Sequence, residues 1–184
     1  MTIAGDEGVI LLQLEGRVFV SPVRALIDPI VERVAQKLAR DPSAVMAWEP
    51  IPLAVYGGGL PEMIRSSWVF ILRAGATTGA ERHPNSHQRA VSYQGCGAFE
   101  VCVNDQWHSH PLVSIPEGPI ESRWVSIPAG TWHQVVVPDQ DWVVVSFHTV
   151  FDDELIEERP DPDDPVSTRR KLYVGTNTDR LQDM

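Results

Sequence analysis

Between residues 66 and 149 the apolar positions come in short runs separated by turn residues, the spacing of β-strands and not of long helices. Residues 66–73 form the first strong run. Residues 99–103 and 107–110 flank Asn104-Asp105-Gln106 as a hairpin, and 142–149 reads as the closing strand. Residues 111–121 carry prolines and read as a surface loop. Upstream the pattern changes. Residues 9–20 read as two short strands broken at Glu15-Gly16. Residues 24–40 place Leu26, Ile27, Ile30, Val31, Val34 and Leu38 at helical spacing. Ser21-Pro22 offers one helix start; Pro29 points to a regular helix beginning near Asp28, and Asp41-Pro42 ends it. Residues 53–56 read as extended. Downstream, 151–165 is acidic and proline-rich, which predicts a surface crossing that buries little. Residues 171–174 return as an edge strand. The expected division is an N-terminal strand and helix extension over 1–60, packing on the core or on a partner subunit. An all-β core over 61–150 and an acidic tail over 151–184 follow.

Composition narrows the function classes. The chain has 184 residues, enough for one domain with a real core. A net charge of −10 argues against a nucleic-acid partner, which demands a basic face, and against an anionic membrane surface. No apolar run approaches the roughly 20 residues needed to span a bilayer. The start, Met-Thr-Ile-Ala-Gly-Asp-Glu, lacks the basic and apolar regions of a signal peptide, so a cytoplasmic location is expected. Cys96 and Cys102 lie six residues apart on one extended run, roughly 20 Å in a strand. That is too far for a disulfide, so two reduced thiols are expected.

The chemistry concentrates between Gly75 and His133. Gly75, Glu81, His83, Gln88 and Gly95 recur at fixed spacing, and Pro128, Gly130 and His133 form a second group before a strand-like run. Together they resemble the two motifs of the cupin superfamily, over about a third of the chain. Glu81 stands where that family has its first His, and Gln88 where it has its Glu. Ser122 and Val137 replace the leading Gly and trailing Asn of the second motif. The resemblance implies an all-β double-stranded β-helix, a jelly-roll barrel with an N-terminal helix-containing extension, and a homodimer. His83-Pro-Asn-Ser-His87 with Tyr93-Gln-Gly95 also resembles the thiol dioxygenase branch, but the three-His set of that branch is missing, so its substrate does not carry over.

Strand parity lets Glu81 and His83 face the same way. With Gln88 and His133 they offer two imidazole nitrogens, one carboxylate and one amide oxygen to a divalent metal. Two His and one carboxylate suit non-haem Fe(II), and the set also accepts Mn, Ni or Zn. His87 shares the parity of His83 and stands as an alternative ligand to Glu81 or Gln88. A metal-free pocket binding an organic molecule stays open. Ala90 and Ser92, on the parity of Gln88, are small and predict room for a small-molecule substrate. On the closing strand Val143, Val145 and Phe147 share one face and Val144, Ser146 and His148 the other. His148 is expected to be structural, and His108 and His110 lie on a partly exposed face. A metal-dependent enzyme follows, dioxygenase-type chemistry foremost. A sugar-acid isomerase or epimerase, or a non-catalytic small-molecule binder, are the alternatives.

Overall fold

The computed structural model describes residues 5–164 and 167–173. Two helices precede the strands. The first, α1 (Gly5–Val18), buries Leu11, Leu14 and Val18, one stripe at helical spacing. The two strands expected over 9–20 are therefore one helix. The second, α2 (Ser21–Arg40), starts at Ser21 with Pro22 in its first turn and runs through Pro29. The start expected near Asp28 is thus one bend too late. Ile27, Ile30, Val31 and Val34 are all buried on one side, and that packing outweighs the missing amide of Pro29. The Arg73 guanidinium donates to the carbonyls of Leu38, Asp41 and Ala44 and closes the helix C-terminus.

Among the described residues ten strands follow: β1 (Met46–Pro50), β2 (Ser66–Leu72), β3 (Gln88–Gln94), β4 (Cys96–Val103), β5 (Gln106–Val113), β6 (Trp124–Ile127), β7 (His133–Val136), β8 (Trp142–His148), β9 (Ile156–Pro160) and β10 (Thr168–Leu172). A five-stranded antiparallel sheet has the order β1-β2-β8-β3-β6, and a three-stranded sheet the order β5-β4-β7. Residues 53–56, expected to be extended, form a short 3-10 helix. The loop expected over 111–121 begins only after Val113, because Pro111 to Val113 still belong to β5.

The larger sheet is covered on both faces. Val69, Ile71, Val91, Val143, Val145 and Phe147 pack with the two helices. Leu72, Ala90, Val125, Ile127, Trp142 and Val144 meet Phe99, Val101, Leu112 and Val135 of the smaller sheet. Such double burial explains why β8 reads as an almost unbroken apolar run. Charged contacts fix α1 to the sheet. Glu7 makes a two-pronged pair with Arg89 of β3, and Glu15 pairs with Arg123 and accepts from the Trp124 indole.

The acidic tail departs most from expectation. Leu155, Glu157 and Glu158 are buried, and β9 pairs with β10 in a two-stranded ribbon. Burial of two carboxylates demands counter-charges. Arg82 and Arg170 supply them to Glu158, and Arg159 and Lys171 to Glu157. The Asn85 side chain pins the start of the ribbon by bonding the Glu154 carbonyl and the Ile156 amide. Edge strand β10 starts at Thr168, three residues before the predicted one; of that prediction, Val174 lies outside the described residues.

Candidate metal centre

The proposed ligands meet at one end of the barrel. Gln88 begins β3 and lies opposite His148, the last residue of β8. His133 begins β7, and its backbone forms a reciprocal bridge with Glu81. The turn before it fixes the approach. Gly130 has φ 76°, and Thr131 donates back to the Pro128 carbonyl, as in a type II turn. The Gly130 amide bonds the His83 carbonyl at 2.9 Å, so this turn seats both histidines against each other. Their ring centroids lie 5.5 Å apart.

One oxygen of Glu81 and one ring nitrogen each of His83 and His133 lie within 4.8 Å of one another. His83 and His133 are 4% and 1% exposed. The Nδ1 of His83 faces the Ile156 carbonyl at 2.9 Å, and the Nδ1 of His133 faces the Thr131 carbonyl at 3.1 Å. A carbonyl only accepts, so both Nδ1 atoms carry the proton and both Nε2 atoms present lone pairs. Two atoms at this place are buried with no hydrogen-bond partner among the described residues: His133 Nε2 and Gln88 Oε1. Both are electron donors, and a cation satisfies both.

Electrostatics keep the imidazoles neutral. Burial, helped by neighbouring His83, pushes His133 down to about 3, and burial lowers His83 as well. Burial and the charge of Glu157 push Glu81 up to about 7, against Arg159 and Lys171. Glu81 shares its two oxygens between His133, at 3.7 Å, and the Arg159 guanidinium. Arg159 also holds Glu157 at 2.7 Å and the Thr78 carbonyl at 2.9 Å.

The remaining candidates separate. His87 turns to the outer side of the sheet. Its Nε2 lies 2.7 Å from the Ser126 hydroxyl and 3.7 Å from Glu7, away from the other ligands. The chain turns at Pro84-Asn85, where the Ser86 amide donates to the His83 carbonyl, and this breaks the parity that linked His87 to His83. His148 faces the cavity with Val144, and its ring sits 5.2 Å from that of His83. Its two nitrogens meet the hydroxyls of Ser86 and Ser146, the satisfied state expected of it. His108 and His110 lie on the open β5, as expected.

Ala90 and Ser92 are fully buried, yet the room they were expected to leave is filled. The Trp142 indole donates to Ser92 and packs there. The cavity at the triad is about 30 Å³, space for about two waters. Tyr173 closes it. Its ring stands 5.8 Å from His83 and packs against Trp48, Trp68 and Phe70. Neither Tyr173 nor the Ile156 carbonyl was legible in the sequence. Arg159 left one signal, a lone arginine beside two adjacent glutamates in an acidic tract.

Two facing antiparallel sheets, with a Pro-x-Gly turn setting one histidine beside another, decide the architecture. The fold is an antiparallel jelly-roll barrel with two N-terminal helices. Three solved structures are similar to it over part of their length. Pumpkin seed globulin aligns with a TM-score of 0.48 and 16% identity over 64% of this chain and 28% of that one. The capsular polysaccharide assembling protein CapF from Staphylococcus aureus gives 0.45 and 18% over 69% and 32%. Lactobacillus farciminis oxalate decarboxylase, in a formate complex, gives 0.42 and 15% over 56% and 28%. This chain spans about a third or less of the length of those chains. No protein-family model matches it, and neither does any curated protein sequence. Among the described residues no helix is long and apolar enough to cross a membrane.

Proposed function

We propose that this chain is a cupin that binds a divalent metal through Glu81, His83 and His133, with Gln88 as a fourth, neutral oxygen donor, and that it is a metal-dependent enzyme on a small molecule. The observation that carries the reading is the pair of orphaned donors, His133 Nε2 and Gln88 Oε1, buried beside a carboxylate. Two imidazoles and one carboxylate favour Fe(II), with Mn, Ni and Zn also accepted. When bound, such an ion activates oxygen or polarises a small molecule in its open positions, and dioxygenase-type chemistry leads on that ground. The chain's own residues do the rest. The Ile156 and Thr131 carbonyls hold each imidazole in the tautomer that offers Nε2. Arg159 orients Glu81, and Tyr173 with its aromatic neighbours excludes water.

Two observations favour a second, non-catalytic reading: Arg159 already occupies one Glu81 oxygen, and Tyr173 leaves no room for an organic substrate, so a bound small molecule would have to displace Tyr173. Elemental analysis of tag-free protein, purified without chelator, tests the metal. Near-stoichiometric metal in wild type and none in His133→Ala is expected; no metal in either sinks the proposal. Oxygen consumption by the iron-loaded protein then separates the two readings. The homodimer and the cytoplasmic location are part of the same proposal. Val9, Leu12 and Leu26 give the dimer an exposed apolar surface, and both cysteines are free, as the cytoplasm favours. Light scattering checks the dimer.

A further inference from the structure

On the opposite side of the Glu81–His83 segment lies a groove of about 380 Å³, more than ten times the room at the triad. That size falls within the range of about 300–1,000 Å³ typical of small-molecule sites. Its walls are Trp107, Trp132 and Pro160, with Arg82, Ser167 and Thr168 around them. The sheet dictates this arrangement. Trp107 pairs with Cys102 across β5 and β4, and the Cys102 amide bonds the Trp132 carbonyl at 2.8 Å. Two indoles therefore stand two strand spacings apart, roughly 10 Å, on the outward face. Trp132 points outward because His133 points inward.

Trp107 is 46% exposed, although a strand beside a hairpin turn has no need of an exposed indole. Arg82 lies over the Trp132 ring at 4.6 Å. Its Nε is taken by Glu158 at 2.7 Å, a carboxylate shared with Arg170. Its two terminal nitrogens have no hydrogen-bond partner among the described residues and remain as donors at the groove.

We propose that this groove binds a neutral carbohydrate, a pyranose ring at each indole. The chemistry points there on three counts. No carboxylate lines the groove, which argues against a cation, and the one charged group there, Arg82, is already paired with Glu158. Indole faces are electron-rich and attract the weakly positive C–H face of a sugar ring. Guanidinium donors and the Ser167 and Thr168 hydroxyls meet the sugar's hydroxyl edge, groups that a purely apolar ligand leaves unused. The site is independent of the metal and of the reaction proposed for it.

The test is an NMR titration of the tryptophan indole N–H signals of the full chain with cellotetraose, maltotetraose and chitotetraose. At least one of them is expected to shift the Trp107 and Trp132 signals together and saturably, with a Kd of about 1 mM or tighter. The signals of the buried Trp68 and Trp142 stay in place. Trp107→Ala, at an exposed position that folding does not need, weakens binding at least about tenfold and leaves metal content unchanged. Trp132→Ala does the same. No shift with any of the three sugars overturns the proposal. So does binding retained in Trp107→Ala, equal binding of 1-naphthol, or indole shifts that follow protein concentration and report a second copy of the chain in the groove.

Discussion

Arg89 is 3% exposed on β3, directly after Gln88, and Glu7 answers its charge from the first turn of α1. Both carboxylate oxygens are used, at 2.6 and 2.8 Å, and Glu7 also accepts from the Ser126 hydroxyl at 2.7 Å. Glu7→Ala strands a buried guanidinium whose Nη1 already lacks a partner. Removing one member of a buried pair costs about 3–5 kcal/mol. The Glu7 side chain keeps 19% of its surface, and a lifted helix turn lets water reach Arg89, so the low end applies. The expected loss is about 3 kcal/mol in urea or guanidinium unfolding, against about 0.5 kcal/mol for an ordinary surface substitution. A double-mutant cycle with Arg89→Met isolates the pair: the double variant recovers part of the loss, because no charge is left buried. A Glu7→Ala variant within about 0.5 kcal/mol of wild type refutes the docking of α1 through this pair.

The same pair sets an acid limb. Burial raises the Glu7 pKa, but the hydrogen bonds from Arg89 and Ser126 and the charges of Arg89 and His87 outweigh it and leave the group below its ordinary value. A depressed carboxylate contributes stability that is present above its unfolded value of 4.5 and lost as pH falls through the folded value. Wild type is therefore expected to lose stability below pH 4.5, and Glu7→Ala to lose less over that interval.

Other outcomes follow from the packing and the site. Gly97→Ala places a methyl 2.2 Å from the fully buried Trp142 ring, and a loss of about 1–3 kcal/mol is expected in the same unfolding assay. Asp105→Gly relieves the positive φ of 60° in the two-residue turn Asn104-Asp105 and is expected to raise stability by about 1 kcal/mol. Zinc binding at pH 6, measured by calorimetry in buffers of different ionisation enthalpy, should release close to one proton, because Glu81 titrates at about 7. At pH 8.5 the release should be near zero. Equal release at both pH values removes Glu81 from the ligand set.

What the sequence disclosed depended on how local the cause was. Strand parity on β3 and β8 was legible because a period of two holds wherever a strand runs unbroken. Ala90 and Val144 do face one side, and Val143 and Val145 the other. The hairpin at Asn104-Asp105 was legible because its residue types suit positive φ. Helix α1 was not. Val9 and Leu12 are apolar yet exposed, so they blurred the stripe of Leu11, Leu14 and Val18 into an extended-looking run. Its anchors, Arg89 and Arg123, lie 82 and 108 residues from their partners and leave no local trace.

The site shows the same division. Its ligands were read from turn chemistry and spacing, which are local: the Pro-x-Gly turn delivers His133 whatever surrounds it. What tunes those ligands comes from the tail. The Ile156 carbonyl selects the His83 tautomer, Arg159 holds Glu81, and Tyr173 shuts the cavity. Acidic, proline-rich composition argued that this segment buries little, and the argument fails because composition counts charges without pairing them. Glu157 and Glu158 enter the interior because Arg82, Arg159, Arg170 and Lys171 converge on them. Two of those four cations also touch the candidate site's own strand or ligand, since Arg82 stands between Glu81 and His83 and Arg159 binds Glu81. The ion pairs that bury the tail are thus the ones that place it over the candidate site, and a change that loosens either role loosens the other.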